Sequence, residues 1–146
     1  MSIKQLSDIS KAMRNLDICM LTTVTNNGML ISRPMSNNRD VEYDGNSYFF
    51  TTDDTDMFKN LFENSAVNLT YIDAEQQLYI SVTGKAKLIQ NKTKLESHWV
   101  DELKQWYPEG INQRGIAMIH VKASRIKYWD KMEEGEIKKS LLSGKN

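Results

Sequence analysis

Apolar and polar residues alternate along much of this chain with the two-residue period of a half-buried β-strand. The pattern is clearest over 78–88, where every second residue from Leu78 is apolar or small. Gly84 and Ala86 in that segment predict a strand that bends around a closed sheet. Five more segments have the composition of strands: 18–25, 29–36, 48–52, 66–72 and 116–129. The pattern leaves open whether the last is one strand or a strand pair.

Three other segments have the apolar spacing of amphipathic helices, namely 6–16, 57–62 and 94–106. We expect Ser7 to cap the first, and Pro108 and Gly110 to end the third. Residues 131–146 are charged and lack an apolar period, which predicts an exposed tail after the last strand. Six strands joined mostly by turns, with about three helices, predict a small antiparallel barrel with helical additions. The length favours a single domain over 1–146, with residues 1–17 forming an N-terminal helix.

Charge and composition narrow the classes of partner and compartment. Nineteen basic and nineteen acidic side chains cancel, so no net field attracts the chain to nucleic acid or to acidic membranes. No stretch approaches the roughly twenty apolar residues that span a bilayer, and we expect no signal peptide. The single cysteine, Cys19, lies in an apolar strand and is better explained by burial than by catalysis. We therefore expect a cytoplasmic protein.

The second strand carries a cation among apolar residues. Met29, Ile31, Arg33 and Met35 would share one face, and Pro34 suggests an edge strand because it cannot donate to a ladder. A guanidinium removed from water needs an oxygen-rich partner, and phosphate or carboxylate fits it best. The 48–52 strand ends in hydroxyls just before a helix, and a helix start close to Arg33 would form an anion pocket. The alternative is that Arg33 pairs with an internal Asp or Glu.

Few other residues indicate chemistry. His98 and His120 are isolated in the sequence, and satisfied structural histidines are the favoured reading of both, so we expect no metal site. The sequence contains no glycine-rich phosphate loop and no nucleophile elbow. An enzyme with this sequence would depend on a cofactor for its reactivity.

Residues from about 15 to 130 resemble the flavin-binding split-barrel superfamily of pyridoxamine 5′-phosphate oxidase, and most of all its bacterial general stress protein branch. The matching motifs are Met20-Leu21-Thr22-Thr23, Ser32-Arg33-Pro34-Met35, Tyr48-Phe49-Phe50-Thr51-Thr52, 64–71, Val82-Thr83-Gly84-Lys85-Ala86, Trp106-Tyr107-Pro108-Glu109-Gly110 and Tyr128-Trp129-Asp130. Their order and spacing cover most of the chain. The resemblance implies a mainly β fold, a six-stranded antiparallel split β-barrel with short flanking helices. It also implies a homodimer that holds two FMN molecules at the subunit interface.

The resemblance assigns cofactor contacts to particular residues. Arg33 would bind the FMN phosphate, beside Pro34 and Met35. Backbone and hydroxyl contacts to the ring and ribityl chain would come from Phe50, Thr51 and Thr52. Trp129 would reach the cofactor from the other subunit.

The sequence departs from the family pattern near the second predicted helix. Met57 stands where family members usually carry a phosphate-binding lysine, and Lys59 lies about 200° further around the helix. Thr55 would then carry more of the binding, while Asp53, Asp54 and Asp56 nearby oppose a phosphate or cap the helix.

The segment 130–135 contains neither of the substrate-binding Arg and His residues of true pyridoxamine phosphate oxidases. We therefore expect a different activity. The leading hypothesis is an FMN-dependent oxidoreductase linked to stress. The alternatives are a flavoprotein that stores or senses flavin without turnover, and a split barrel that uses haem or a deazaflavin.

Overall fold

The computed structural model describes residues 5–37 and 42–137, and most of them belong to one antiparallel sheet. The strands, in chain order, are β1 Ile18–Val24, β2 Leu30–Ser36, β3 Asn46–Thr52, β4 Ala66–Asp73, β5 Leu78–Ile89, β6 Ile116–Asp130 and β7 Glu133–Glu136. They pair in the order β2-β1-β4-β5-β6-β3, and β7 adds to β6. Within the described residues β2 and β3 do not pair, so the sheet curves without closing. The predicted split-barrel fold class is confirmed, with one short strand more than the six expected.

The long strands β5 and β6 form the spine of the sheet. Their register shifts between Thr83 and Gly84, which confirms the bend predicted there. A Cβ at Gly84 would collide with the backbone carbonyl oxygen of Lys122, so only glycine lets the two strands approach this closely. β6 runs without a break from Ile116 to Asp130, so the last strand segment is one strand rather than a pair.

The prediction of an exposed charged tail from Lys131 is wrong for its first part. Lys131 adopts a left-handed turn (φ 57°), and β7 then pairs with the end of β6. Ile137 follows β7 and is 1% exposed, and its N–H donates to the carbonyl of Ile126 at 2.9 Å. Cross-strand ion pairs compensate for the missing apolar period, since Arg125 contacts Glu136 at 2.6 Å. Residues 138–146 lie outside the described residues.

In the described part of the chain, three α-helices flank the sheet: α1 Leu6–Met13, α2 Asp56–Glu63 and α3 Lys92–His98. α1 begins after Gln5 rather than Ser7, because the backbone N–H of Gln5 donates to the Asp8 carboxylate at 3.1 Å and closes the first turn. The third predicted helix is divided. Trp99 leaves the helical conformation after His98, and a 3₁₀ segment follows at Asp101–Gln105.

Two apolar clusters fill the interior. The larger lies between the inner sheet face and helices α1 and α2, and includes Ile9, Leu21, Leu69, Ile80 and Val121. The smaller is built on Phe50, Leu95, Ile116 and Met118 and extends to the segment after α3. No helix in the described part of the chain is long and apolar enough to cross a membrane.

Candidate functional site

A cavity of about 900 Å³ is lined by residues from both edge strands of the sheet. β2 contributes Arg33 to Ser36, and β3 contributes Tyr48 to Thr51. The start of α2 adds Met57, and the segment between α3 and β6 adds Val100, Leu103, Trp106 and Tyr107. Its volume is within the range of small-molecule binding sites. The unclosed sheet therefore leaves a ligand-sized space between its two edges.

Arg33 lies on the inner face of β2, as predicted. It pairs across the ladder with Leu21, and its Nη1 donates to Thr23 Oγ1 at 2.8 Å and to the Leu21 carbonyl at 3.5 Å. No carboxylate among the described residues comes within ion-pair distance of it. Partial burial lowers the pKa of Arg33, but an arginine remains charged at neutral pH. The internal Asp or Glu partner is not present in the described chain, and a half-buried cation faces the cavity.

The other residues assigned from β2 and β3 divide between the cavity wall and its support. Pro34, Met35, Phe50 and Thr51 line the cavity with Arg33. Pro34 is on an edge strand, as its missing N–H predicted. Thr51 is buried, and its hydroxyl oxygen lies 3.2 Å from that of Thr55.

Thr52, Thr55, Lys59 and Trp129 are not on the cavity wall of this chain. The hydroxyl of Thr55 caps α2, accepting from the Phe58 N–H at 3.1 Å. Thr52 donates to the Asp54 carboxylate at 2.6 Å. Lys59 is exposed on α2. Met57, the position where the resemblance places a lysine, is on the wall instead.

Trp129 lies near the end of β6, on the sheet's outer face. Its indole N–H donates to Glu134 of β7 at 2.9 Å, and the ammonium of Lys127 lies 5.5 Å from the centre of its ring. The β6–β7 hairpin therefore fixes the orientation of this side chain.

The segment from His98 to Tyr107 supplies a wall that the assigned residues did not include. Trp99 packs edge-on against Phe50 at 5.1 Å, and the Tyr107 hydroxyl donates to the Phe50 carbonyl at 3.0 Å. Trp106 is 56% exposed at the cavity, whereas a continuous helix over 94–106 would have buried it. The motif Trp106-Tyr107-Pro108 was the available signal, but it indicated only the family and no position in the site.

The two histidines are neighbours in space. Tyr48 is sandwiched between them, with His98 at 3.7 Å and His120 at 4.6 Å between ring centres and 18° between the planes in each case. His120 Nε2 lies 2.8 Å from Asn46 Oδ1, so this histidine is satisfied. The pairing of Tyr48 with His120 in the β3–β6 ladder brings the stack together, which sequence separation did not reveal.

Charges of both signs complete the cavity. Arg14, Asp17 and Glu102 also line it. Burial lowers the pKa of His98 and of His120, which favours neutral imidazoles near pH 7. Within the described residues, no group of three or more His, Cys, Asp or Glu side chains could hold a metal ion.

Solved structures share this architecture at low sequence identity. One is a Clostridium acetobutylicum protein related to general stress protein 26 of the pyridoxinephosphate oxidase family, with a TM-score of 0.82, 18% identity, and coverage of 94% of this chain and 96% of that one. General stress protein 26 of Bacillus anthracis has a TM-score of 0.71 at 19% identity, covering 90% and 98%. A protein described as the general stress FMN/FAD binding protein of Xanthomonas citri has a TM-score of 0.73 at 19% identity, covering 88% and 89%.

No curated protein matches the chain in sequence. A family model does match: the one described as pyridoxamine 5′-phosphate oxidase like aligns with residues 4–145. That range includes both cavity-lining edge strands, the β6–β7 hairpin and all three helices. The chain therefore belongs to the pyridoxamine 5′-phosphate oxidase-like family.

Proposed function

We propose that this protein binds FMN in the cavity between β2 and β3 and acts as a flavin-dependent oxidoreductase of the general stress protein type. The observation that carries the proposal is Arg33, a half-buried cation on the cavity wall without a carboxylate partner in the described chain. A guanidinium has five N–H donors, and the bonds to Thr23 and Leu21 engage only Nη1. The remaining donors suit a phosphate.

The other parts of the cavity fit the rest of the cofactor. Met35, Phe50, Leu103 and Trp106 provide apolar and aromatic surface for a planar ring. The Thr51 hydroxyl supplies a polar contact, and Thr55 supports it from behind at 3.2 Å. Thr52 and Lys59 would act indirectly, through the turn and helix that follow β3. A bound flavin would supply electron and hydride transfer, while these residues bind it, orient it and exclude water.

The outer face of the sheet supports a homodimer. Twelve solvent-facing positions on four adjacent strands carry no charge, although 26% of the chain is charged: Met20, Thr22, Val24, Leu30, Ser32, Pro34, Asn68, Thr70, Ile72, Tyr79, Ser81 and Thr83. The same face of β5 becomes charged beyond this patch, at Lys85 and Lys87. Depletion of charge and enrichment in aromatic residues are typical of the centre of a protein interface. A second copy of the chain is the occupant that we propose for this face.

The strand registers suggest how the partner would complete the site. Ile72, Tyr79 and Trp129 align across β4, β5 and β6, and Ile18 of β1 extends the same row. A two-fold axis along the strands between β4 and β5 would exchange β1 with β6 and place Trp129 of the partner subunit over Ile18. Ile18 lines the cavity. This arrangement would bring that indole to the cofactor.

A flavin-binding protein without turnover would use the same cavity, so spectroscopy must separate the two functions. We expect purified protein to bind FMN with a flavin spectrum that an added pyridine nucleotide bleaches. A stable oxidised spectrum would favour storage or sensing, a Soret band would indicate haem, and a protein that binds none of these cofactors would refute the proposal. Trp129→Phe should reduce quenching of the bound flavin, and sedimentation should show a dimer at micromolar concentration.

The single buried thiol, Cys19, supports a cytoplasmic location.

A further inference from the structure

His98 is an imidazole on the cavity wall whose ring nitrogens form no hydrogen bond with any described residue. Its position is fixed by stacking, since the ring lies 3.7 Å from that of Tyr48 and nearly parallel to it. Tyr48 is in turn held by β3 and backed by His120. The wall therefore presents an imidazole, held by stacking, whose donor and acceptor positions are unoccupied by any residue of 5–37 and 42–137.

His120 provides an internal comparison within the same stack. It lies on the other side of Tyr48, does not line the cavity, and its Nε2 is engaged by Asn46 at 2.8 Å. Both histidines therefore stack on Tyr48, but of the two only His98 also lines the cavity, where a ligand could reach it. A purely structural histidine is normally satisfied in the way that His120 is.

Burial and neighbouring charges determine whether the imidazoles of His98 and His120 are neutral or protonated. Around His120, Lys87 and Lys122 disfavour a positive charge and Asp44 favours one, and His98 and His120 oppose each other's charging. The cavity that His98 lines is also lined by Arg14, Asp17 and Glu102. Because burial lowers the pKa of His98, its imidazole is neutral near pH 7 and can accept a proton when negative charge enters the cavity.

We propose that His98 is the proton acceptor of this cavity, taking up one proton when two electrons enter a bound flavin and releasing it when they leave. The inference rests on the proposed function and assigns the proton that accompanies its redox step. A hydride from a reduced pyridine nucleotide would bring two electrons and one proton to the bound flavin, and a second proton, taken from solvent, would bind a ring nitrogen of His98. Reduction adds one negative charge to the cavity, and His98 balances it with one positive charge.

The electrostatic effect is large enough to measure. A unit charge 6–10 Å from the imidazole, at an effective dielectric constant of about 20, raises a pKa by about 1 to 2. His98 would have one pKa with oxidised FMN and a higher one with reduced FMN. At pH values between the two, reduction of the FMN-bound protein would take up one proton more than reduction of the cofactor alone. One extra proton per two electrons adds about 30 mV per pH unit to the slope of the midpoint potential.

The experiment measures the midpoint potential of bound FMN against pH for the wild type, His98→Gln and His120→Gln. We expect the wild type and His120→Gln to share a slope that exceeds the slope of His98→Gln by about 30 mV per pH unit over one to two pH units. Equal slopes in all three proteins would overturn the role of His98.

A second measurement needs no variant at the site. The chain has two histidines, so NMR of the wild type resolves two imidazole titrations, and His120→Gln assigns them. We expect the pKa of His98 to rise by about 1 to 2 when bound FMN is reduced with dithionite. An unchanged pKa would overturn the inference while leaving flavin binding intact. Failure of the wild type to bind FMN would instead refute the proposed function, and the role of His98 with it.

Discussion

Replacing Arg33 with alanine tests the phosphate assignment, because the structure separates the roles of this side chain. Nη1 of the guanidinium donates to Thr23 and to the Leu21 carbonyl, and the side chain lines the cavity with its other donors unbonded within the described residues. FMN and riboflavin share the same ring and ribityl chain, and only FMN carries a phosphate. A phosphate-binding Arg33 would therefore distinguish the two ligands, whereas a purely structural Arg33 would not.

The expected magnitude follows from the partial burial of the contact. A charge-assisted hydrogen-bonded pair shielded from water contributes roughly 2–4 kcal/mol on truncation of one partner. At about 1.4 kcal/mol per tenfold change, Arg33→Ala should weaken FMN binding by roughly 30- to 1000-fold. The affinity for riboflavin should change by less than about threefold. Met57 at the usual lysine position strengthens the effect, since it leaves Arg33 as the main cation assigned to the phosphate.

The assay is titration of flavin fluorescence with both ligands against the wild type and three variants. Arg114→Ala is the matched control, because it removes a guanidinium from an exposed position outside the cavity wall. It should leave both affinities unchanged. Thr23→Val removes the hydroxyl that accepts from Arg33 at 2.8 Å and should weaken FMN by a smaller factor. Equal losses of FMN and riboflavin affinity in Arg33→Ala, together with a lower melting temperature, would refute the phosphate assignment.

Three further changes have defined outcomes. Met57→Lys should tighten FMN but not riboflavin, measured in the same titration, because it adds a cation at the cavity wall. Gly84→Ala should lower the free energy of unfolding in urea by about 1–3 kcal/mol, since its Cβ would collide with the Lys122 carbonyl; an unchanged midpoint would contradict the close approach of β5 and β6. Burial raises the pKa of Cys19 to about 11, so the thiol ionises first in the unfolded chain. Stability should therefore fall above pH 9 by about 1.4 kcal/mol per pH unit, and Cys19→Ala should remove this part of the slope.

Local patterns predicted the elements whose stability is local. The alternation over 78–88 identified β5 and its bend, and the apolar spacing over 57–62 identified α2. The β7 strand was missed because its pairing depends on ion pairs and on a left-handed turn at Lys131, neither of which has an apolar period. The helix predicted over 94–106 ends at His98 because Trp99 packs on Phe50, a contact between residues far apart in the sequence.

The candidate site also contains residues that local motifs identify and residues whose position depends on contacts between distant parts of the chain. Arg33, Pro34, Met35, Phe50 and Thr51 could be found because each lies in a strand motif, and all five line the cavity. The wall from His98 to Tyr107 and the stack on Tyr48 could not be found, because they depend on strand register and on the path of a loop. Thr52 belongs to the same strand motif but lies off the cavity wall. Thr55 and Lys59 were placed by counting along the chain, which does not show that the Thr55 hydroxyl is already used to cap α2.

The unclosed sheet links the cavity to the proposed dimer. An unpaired edge with exposed apolar residues promotes association, and β2 has Leu30 and Ile31 at 72% and 43% exposure. Pro34 limits pairing along that edge, and Arg33 places a charge on its inner side, so a simple continuation of the sheet is disfavoured. Association through the twelve uncharged outer positions would require no pairing at the β2 edge. It would leave the gap between β2 and β3 available to a ligand. The gap between the unpaired strands β2 and β3 would then form the cofactor site.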